Sequence, residues 1–415
     1  MLPTYRRLLS CLLFAPALHA AHAGPLSDAY TQARGFDALF QQAGPEMDSG
    51  KAASQAAGAA YYPQFQASYS RLETEANPRQ TYTITQPLIS VDRYATLQEA
   101  TPRETLATAS YQVREQDLSQ RLLKAVSELL RTTESQRLSK AKITALENQA
   151  LSAQKSFAAG VGTITDQRDA QVRLDQARAE ALMVDAQIDA AQRQYTSITG
   201  QPINAAMQSL PRAARTVPLL AVDDYIRTGT QSNPQLIAAQ QNQRLADLAV
   251  TRSNGALWPT LSAVYTDSTT NNVNVNYTGL ALSLPLQASS IYQVRGAVAN
   301  ASKQEQQTRE TEQRTRLEVQ RLWALVNAGR AEIAIRMESI RSAALSVEAN
   351  DKSFKGGVRS QIDVLNSIQT YYQVQQEYVN AVLSLSDNYL NLLLQAATPT
   401  SEAVVQVQTV LFPGL

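Results

Sequence analysis

Two different periods of apolar residues divide most of this chain. Two long stretches place an apolar residue at every seventh position, which is the spacing of a coiled-coil seam. The first seam, interrupted at Gln136, comprises Leu122, Leu129, Ile143, Ala150 and Phe157. The second comprises Val319, Val326, Ile333, Ile340, Val347 and Phe354. At ~1.5 Å per residue, a helix of about 65 residues spans roughly 100 Å. These stretches therefore predict long paired helices that extend well beyond a compact core.

Four shorter stretches alternate apolar and polar residues with the period of a β-strand. We predict strands at 63–74 and 80–90, and again at 259–268 and 276–287. Strands of about ten residues are long enough to cross a bilayer when tilted, with one apolar and one polar face. The predicted junctions between strands and helices carry Pro63, Pro87, Pro259 and Pro285.

The order of these elements occurs twice. Each copy consists of a helix, a hairpin, a long helix, a glycine turn and a further helix. The glycine turns, Phe157–Asp166 and Phe354–Asp363, lie 197 positions apart, with Phe, Gly, Val and Asp in matching register. We predict a first repeat at 24–200, a connector at 201–222, a second repeat at 223–397 and a tail at 398–415. Breaks in the first helix of each repeat are expected at Gly44–Pro45 and Asn233–Pro234.

The first 23 residues have the pattern of a secretory signal peptide. Arg6 and Arg7 precede an apolar stretch, and Ala21–Ala23 provides a small-residue cleavage site. The chain's cysteine and both histidines, Cys11, His19 and His22, fall inside this segment. The mature chain is therefore expected to lack disulfides, cysteine or histidine nucleophiles, and thiolate or imidazole metal sites.

The charge of the chain is nearly balanced, with 37 Lys and Arg against 36 Asp and Glu. It has no basic field suited to nucleic acid. The mature sequence also has no run of ~20 apolar residues that would form a membrane helix. If the exported chain spans a membrane, it must do so with strands. Four strands are too few to close a barrel, so other copies of the chain would have to satisfy the sheet edges.

With this order of elements, the chain resembles the TolC-like outer-membrane efflux proteins over nearly its whole mature length. The resemblance is carried by the duplicated order and by short motifs at matching positions. These motifs are Tyr62–Pro63, Gln86–Leu88, Ile198–Gly200, Trp258–Pro259 and Leu284–Leu286. The resemblance implies a mainly α fold with a membrane β part. It implies a homotrimer whose twelve-strand β-barrel in outer-membrane lipid continues into a twelve-helix periplasmic α-barrel.

The resemblance also implies a gate at the glycine turns, where an inner-membrane transporter and a periplasmic adaptor dock. Family members hold the gate closed by links from an aspartate after the first turn to a tyrosine and an arginine of the second. The matching positions here are Asp166, Phe354 and Arg359. Phe354 lacks the tyrosine hydroxyl, so one link cannot form. Asp363 would form a ring of three carboxylates in the trimer, whereas Asn366 replaces a second expected acidic residue.

The turn residues also have a purely structural interpretation. The segments Thr163–Asp166 and Ser360–Asp363 fit capping boxes, in which a hydroxyl and a carboxylate satisfy free N–H groups at a helix start. Arg359 is then a solvated loop charge. The glycines Gly160, Gly162, Gly356 and Gly357 would shape the turns in either case.

We expect a passive outer-membrane duct and not an enzyme, with no cofactor and no metal. The first hypothesis is type I protein secretion with an ABC transporter and an adaptor. The second is small-molecule or multidrug efflux, for which a transporter of the RND type is possible. A third, from another class, is a soluble periplasmic coiled-coil adaptor, which would explain the heptads but not the two strand pairs.

Overall fold

The computed structural model describes residues 24–71, 78–211, 215, 217–270, 273–285 and 287–413. The predicted signal peptide at 1–23 lies outside the described residues, as do Leu286 and most of the turn between the first two strands. The first half contains α1 Pro25–Phe36, α2 Ala38–Gln41, α3 Ala43–Gly58, β1 Gln64–Ser70, β2 Arg79–Ile89, α4 Val91–Gln98, α5 Ala100–Ala158 and α6 Ile164–Thr199. The second half contains α7 Val222–Ser232, α8 Pro234–Gly255, β3 Thr260–Thr270, β4 Val273–Ser283, α9 Ala288–Lys355, α10 Gln361–Gln395 and α11 Thr400–Leu411.

The break predicted near Gly44–Pro45 in the first helix is present at Gln42, between α2 and α3. Pro45 itself lies in the first turn of α3, where a missing N–H breaks no helical hydrogen bond. The chain also breaks at Asp37, which was not predicted, and the Asp37 carboxylate accepts a hydrogen bond of 2.8 Å from the Phe40 N–H and so starts α2. The break predicted in the second repeat is confirmed. There Asn233 caps α8 and Pro234 occupies its first position.

The helix after the β1–β2 hairpin is also divided, between α4 and α5 at Glu99. Pro102 in the first turn of α5 offers no N–H to the end of α4, and a proline ring crowds the carbonyl four residues earlier. Glu99 is 2% exposed and accepts hydrogen bonds from Arg103 at 2.6 Å and from Arg252 of α8 at 2.9 Å. This buried carboxylate therefore joins the two repeats directly below the strands.

The strands form one antiparallel sheet in the order β1-β2-β3-β4. Both long strands of the second repeat extend further toward the hairpin tip than the predicted ranges. Pro63 and Pro259 directly precede β1 and β3, and Pro285 follows β4. Pro87 does not lie at a junction, because it falls within β2 at an irregularity in the register with β3. Such an irregularity accommodates a proline, which cannot donate a ladder hydrogen bond.

Across β1, β2 and β3, the two faces of the sheet differ in chemistry. One row across its middle joins Phe65, Ile84 and Tyr265, all at least 40% exposed, on one face. The neighbouring row on the opposite face joins Gln66, Thr83 and Thr266. Along β2 the residues of the apolar face are exposed, whereas Thr81, Thr83 and Thr85 on the polar face are partly buried. The polar face is therefore the more sheltered side of this sheet.

The long helices α5 and α9 contain 59 and 68 residues. At ~1.5 Å per residue, they extend roughly 90 and 100 Å. Of the second seam, Val319, Val326 and Ile333 are buried in the main hydrophobic core, and Ile340 packs against it. The seam therefore packs the helices together, as its spacing predicts.

The segment predicted as a tail contains α11, which completes the main core. Val407, Leu411 and Phe412 are fully buried. The Gln408 side chain accepts hydrogen bonds from the Leu26 N–H at 3.0 Å and the Ser27 N–H at 3.2 Å, so it caps the start of α1. The two ends of the described chain are thus fixed to each other beside the long helices.

Candidate functional site

The first glycine turn joins α5 to α6, the pair called here the first hairpin. Gly160 has a φ of 72°, a left-handed conformation that favours glycine. Its N–H donates to the Phe157 carbonyl at 3.0 Å, and the Val161 N–H donates to the Ser156 carbonyl at 3.0 Å. These two bonds make the Schellman motif, which satisfies carbonyl groups at the end of a helix.

The second turn joins α9 to α10, the second hairpin, with the same geometry. Gly357 has a φ of 73°, and its N–H donates to the Phe354 carbonyl at 2.9 Å. The Val358 N–H donates to the Ser353 carbonyl at 2.9 Å. Gly162 and Gly356, in contrast, have no left-handed φ. Of the four predicted turn glycines, Gly160 and Gly357 are therefore those whose backbone conformation favours glycine.

Both predicted capping boxes are confirmed. In the first, the Asp166 carboxylate accepts from the Thr163 hydroxyl at 2.6 Å and from its N–H at 3.2 Å. In the second, Asp363 accepts from the Ser360 hydroxyl at 2.9 Å and from its N–H at 3.1 Å. The Ser360 hydrogen bonds and the charge of Arg359 hold the pKa of Asp363 below its ordinary value. This carboxylate is therefore ionised at neutral pH.

The structure does not bring the predicted gate residues together within one chain. Within the described residues, Asp166 makes no hydrogen bond to the second hairpin, and Arg359 makes no ion pair within 4.0 Å. Phe354 is partly buried against a group of apolar residues, whereas its counterpart Phe157 is 43% exposed. The link from Asp166 to Arg359 remains a prediction for contacts between copies of the chain.

The group that Phe354 contacts is the turn-end cluster. It consists of buried residues of α5, α6 and α10: Leu146, Ala153, Ala170, Leu174, Ala177, Val364, Leu365 and Ile368. This cluster holds the first hairpin against the second near the turns. The two hairpins are thus joined at this end mainly by apolar packing.

One polar contact also crosses between the hairpins at this end. The Arg173 guanidinium of α6 donates to the Asn366 side-chain oxygen at 3.4 Å, on the exposed surface. The sequence predicts Asn366 at the constriction, but Arg173 was not predicted. The signal that could have identified Arg173 was its position two turns after Asp166 on α6. A neutral acceptor at this distance makes a weak link.

Farther from the turns, Asp387 of α10 lies in the joint with α5. Its carboxylate accepts from the Ser127 hydroxyl at 3.4 Å, and Lys124, Glu128 and Arg131 of α5 line the same recess. Burial raises the pKa of Asp387 to about 6, although Ser127 and the two cations oppose this. At neutral pH the fold therefore holds a partly desolvated charge here.

The Asp387→Asn variant is expected to be more stable than the wild type at pH 7.5 by roughly 2 kcal/mol. A carboxyl whose pKa is raised on folding binds its proton more readily in the folded state, so the fold becomes more stable as the pH falls. For Asp387 this gain extends from above pH 6 down to the ordinary pKa of 3.8. The difference between the two proteins should therefore vanish near pH 4. Thermal unfolding at both pH values measures this, and a difference that does not depend on pH would contradict it.

The described residues contain no group of three or more His, Cys, Asp or Glu residues placed to hold a metal ion. No helix in the described ranges is both long and apolar enough to cross a membrane. The features that remain to be explained are the exposed apolar sheet face, the long helices and the paired turns.

The family model for "Outer membrane efflux protein" matches this chain twice, over residues 29–201 and 226–397. The chain belongs to the outer membrane efflux protein family. The two matched segments correspond to the two copies of the helix, hairpin, helix, turn and helix order. This family is one of transport channels and not of enzymes.

Curated members of the outer membrane efflux protein family are similar along most of the chain. The proteases secretion protein PrtF of Dickeya chrysanthemi is 27% identical, covering 94% of this chain and 91% of the relative. The alkaline protease secretion protein AprF of Pseudomonas aeruginosa is 24% identical, covering 91% of this chain and 86% of the relative. The outer membrane protein TolC of Vibrio cholerae is 23% identical over 94% of each.

Solved channels of low sequence identity share the fold. The outer-membrane channel OprN has a TM-score of 0.79 at 13% identity, over 91% of both chains. The CmeC outer membrane channel of Campylobacter jejuni has a TM-score of 0.77 at 13% identity, over 93% of this chain and 90% of the other.

Family membership places the chain in the outer membrane of a Gram-negative envelope, with its helices in the periplasm. The chain is therefore an outer-membrane efflux channel. The hypothesis of a soluble periplasmic adaptor does not agree with this assignment. That hypothesis also leaves the exposed apolar face of the sheet without a role.

Proposed function

We propose that three copies of this chain form a duct for protein secretion across the outer membrane. Their sheets close a twelve-strand barrel, and their helices continue it as a twelve-helix periplasmic tunnel. An ABC transporter and a periplasmic adaptor deliver the cargo at the turn end. The duct itself carries out no chemistry and takes no cofactor, since the transporter supplies the energy.

The observation that carries this proposal is the open four-stranded sheet directly above helices of roughly 100 Å. An open sheet in lipid leaves the backbone groups of β1 and β4 unsatisfied, so membrane sheets close into barrels. Closure with β1 of one copy beside β4 of the next satisfies both edges. The sheltered polar face then lines the lumen, and the apolar face meets lipid.

Aromatic side chains support this orientation. Tyr62, Trp258 and Tyr292 are 68%, 61% and 70% exposed where the strands meet the helices. Exposed aromatic residues form belts at the interfaces between membrane and water, where an apolar ring with a polar atom is most favourable. These residues support a membrane surface at the base of the sheet.

Exposed apolar residues on the helices support the trimer. Helices α6 and α9 carry Leu182, Met183, Leu317, Ile335 and Leu345, all at least 64% exposed. Exposed apolar residues of this kind favour burial against another surface. Packing of α6 of one copy against α9 of the next would cover them and close the tunnel. Val161 and Val358, each 81% exposed at the turn tips, suit an apolar contact with the adaptor.

Two relatives support a polypeptide cargo. The matches to PrtF and AprF, both named for protease secretion, extend over at least 86% of those proteins. The second candidate function is small-molecule efflux, because an outer membrane efflux protein, BepC of Brucella suis, is 24% identical over 78% of this chain. An RND-type transporter would be the partner in that case. PrtF is more similar than BepC and matches more of this chain, and AprF matches more of it at equal identity, which favours secretion with an ABC transporter.

A strain that lacks this chain tests the choice between cargoes. Loss of a secreted protein from the culture medium, with unchanged sensitivity to toxic compounds, is the result expected for secretion. Expression of the full chain from a plasmid should restore the secreted protein. Increased sensitivity to toxic compounds with normal secretion would instead establish small-molecule efflux.

The ring of three Asp363 carboxylates is part of this proposal, and its two roles can be separated. The Asp363→Asn variant keeps a side-chain oxygen for the Ser360 N–H but removes the charge. We expect it to lower the cation preference of the channel in a planar bilayer by several fold, since a ring of like charges selects the opposite ion. Asp363→Ala should lower the preference equally and also weaken the start of α10. Unchanged selectivity in Asp363→Asn would restrict Asp363 to capping.

A further inference from the structure

The two repeats place opposite residue types at the first position of the helix after each turn. Ile164 starts α6 and Gln361 starts α10, and the two lie at matching positions in Thr163–Asp166 and Ser360–Asp363. The apolar Ile164 is 48% exposed, whereas the polar Gln361 is 2% exposed. The usual distribution of polar and apolar residues is inverted at this pair.

Gln361 belongs to the face of α10 that contacts the first hairpin. Residues three, four and seven positions further along a helix share its face, and here these are Val364, Leu365 and Ile368. All three belong to the turn-end cluster with α5 and α6. The amide of Gln361 is therefore buried at the end of an apolar joint between the two hairpins.

Neither polar atom of the Gln361 side chain has a hydrogen-bond partner within the described residues, although both are buried. In that part of the chain, Gln361 is the one buried side chain whose polar atoms are left in this state. A buried donor or acceptor without a partner lacks the hydrogen bonds that it makes in water, which destabilises the packed arrangement. Separation of the hairpins would expose the amide to water and remove this penalty.

The other contacts at this end do little to offset the penalty. A polar contact across the joint near the turns, between Arg173 and Asn366, is long at 3.4 Å and exposed. Phe354 contributes apolar contact but no hydrogen bond. The closed arrangement of the hairpins therefore depends on apolar packing that includes one destabilising side chain.

We infer that Gln361 biases the turn end of the duct toward its open arrangement. The inference rests on the proposed duct, because it assumes that separation of the second hairpin from the first widens the lumen. The buried amide lowers the stability of the closed joint without weakening either hairpin. A partner that separates the hairpins then has less packing energy to overcome.

The test uses the full-length purified protein in a planar bilayer, with Gln361→Met as the principal variant. Methionine has nearly the same length and flexibility as glutamine but no group that requires a hydrogen bond. We expect the ratio of open to closed time to fall ~10-fold, which corresponds to about 1.4 kcal/mol at 25 °C. Gln361→Leu should shift the ratio in the same direction. Hydrogen exchange at residues 361–368 should slow in both variants.

Gln369→Met is the matched control. It makes the same chemical change on the same helix, at an exposed position, and should leave gating unchanged. If the wild type forms no channel, the proposed duct fails. If the wild type conducts and Gln361→Met gates as Gln369→Met does, the inference about Gln361 fails by itself. An increase in open time with Gln361→Met would show that the amide holds the joint closed through a partner, and would also overturn the inference.

Discussion

Replacement of Phe65 by arginine is expected to prevent most of the protein from assembling in the outer membrane. Phe65 is 67% exposed on the edge strand β1, in the middle row of the apolar face with Ile84 and Tyr265. An arginine on the lipid face of a barrel costs about 2–4 kcal/mol at the bilayer midplane and about 0–1 kcal/mol near the membrane surfaces, and Phe65, three residues after Tyr62, lies between these depths. A trimer carries three copies of the change, so its assembly should suffer strongly. The amount of folded trimer in outer-membrane fractions measures the effect.

The matched control is Gln66→Arg on the adjacent residue. Gln66 is also exposed in β1 but points to the opposite, polar face, in the row with Thr83 and Thr266. An arginine there would lie in the water-filled lumen, and assembly should be close to that of the wild type. Equal effects of the two substitutions would contradict the assignment of the apolar face to lipid.

Replacement of Arg121 by methionine is expected to cause the largest loss of stability in the helical part. Its guanidinium donates to the two carboxylate oxygens of Asp37 at 3.0 and 2.7 Å. The Asp37 side chain is 7% exposed. Removal of the arginine leaves a buried carboxylate that keeps the hydrogen bond from the Phe40 N–H but loses its counter-charge, and breaking a buried ion pair in this way costs about 3–5 kcal/mol. Thermal unfolding of the purified protein at pH 7.5 measures the loss.

Two further variants separate this effect from a general loss of charge. Arg341→Met removes an arginine from a pair with Glu338 whose side chains are 69% and 67% exposed, and it should change stability by less than ~1 kcal/mol. The double variant Asp37→Asn with Arg121→Met should recover much of the lost stability, because a neutral amide can still accept from the Phe40 N–H. A double variant as unstable as Arg121→Met would contradict the role of the buried charge.

The same pair makes stability depend on pH in a defined direction. Burial raises the pKa of Asp37, but hydrogen bonds from Arg121 and the Phe40 N–H outweigh burial and hold the pKa below its ordinary 3.8. A carboxyl whose pKa is lowered on folding stabilises the fold at pH values above its pKa in the unfolded state. This contribution is lost as the pH falls from there through the pKa in the folded state. The cost of Arg121→Met should therefore shrink below about pH 4.

The sequence predicts the repeated architecture well because its signals are local and periodic. The seven-residue spacing and the strand alternation each recur in both repeats, so each copy supports the assignment of the other. The turns are equally local, since one left-handed glycine and a capping box three residues later specify them. Gly160 and Gly357 could therefore be identified from their spacing alone.

The contacts that decide stability and gating could not be predicted, because they join residues far apart in the sequence. Asp37 pairs with Arg121, and Arg173 with Asn366, across different helices. The burial of Gln361 likewise depends on how the two hairpins pack, which a single-helix pattern does not specify. The helix α11 was missed because its packing against α1 and α10 joins residues far apart in the sequence, although Val404, Val407 and Leu411 have the spacing of one helix face.

Conductance of the purified full-length protein in a planar bilayer is the most direct test of the proposed duct. We expect a stable, cation-preferring channel, formed by trimers, that needs no cofactor and no energy source. The Phe65→Arg protein should form few such channels, and Gln66→Arg should form as many as the wild type. Correctly folded trimers that insert into the bilayer but conduct no ions would contradict the duct.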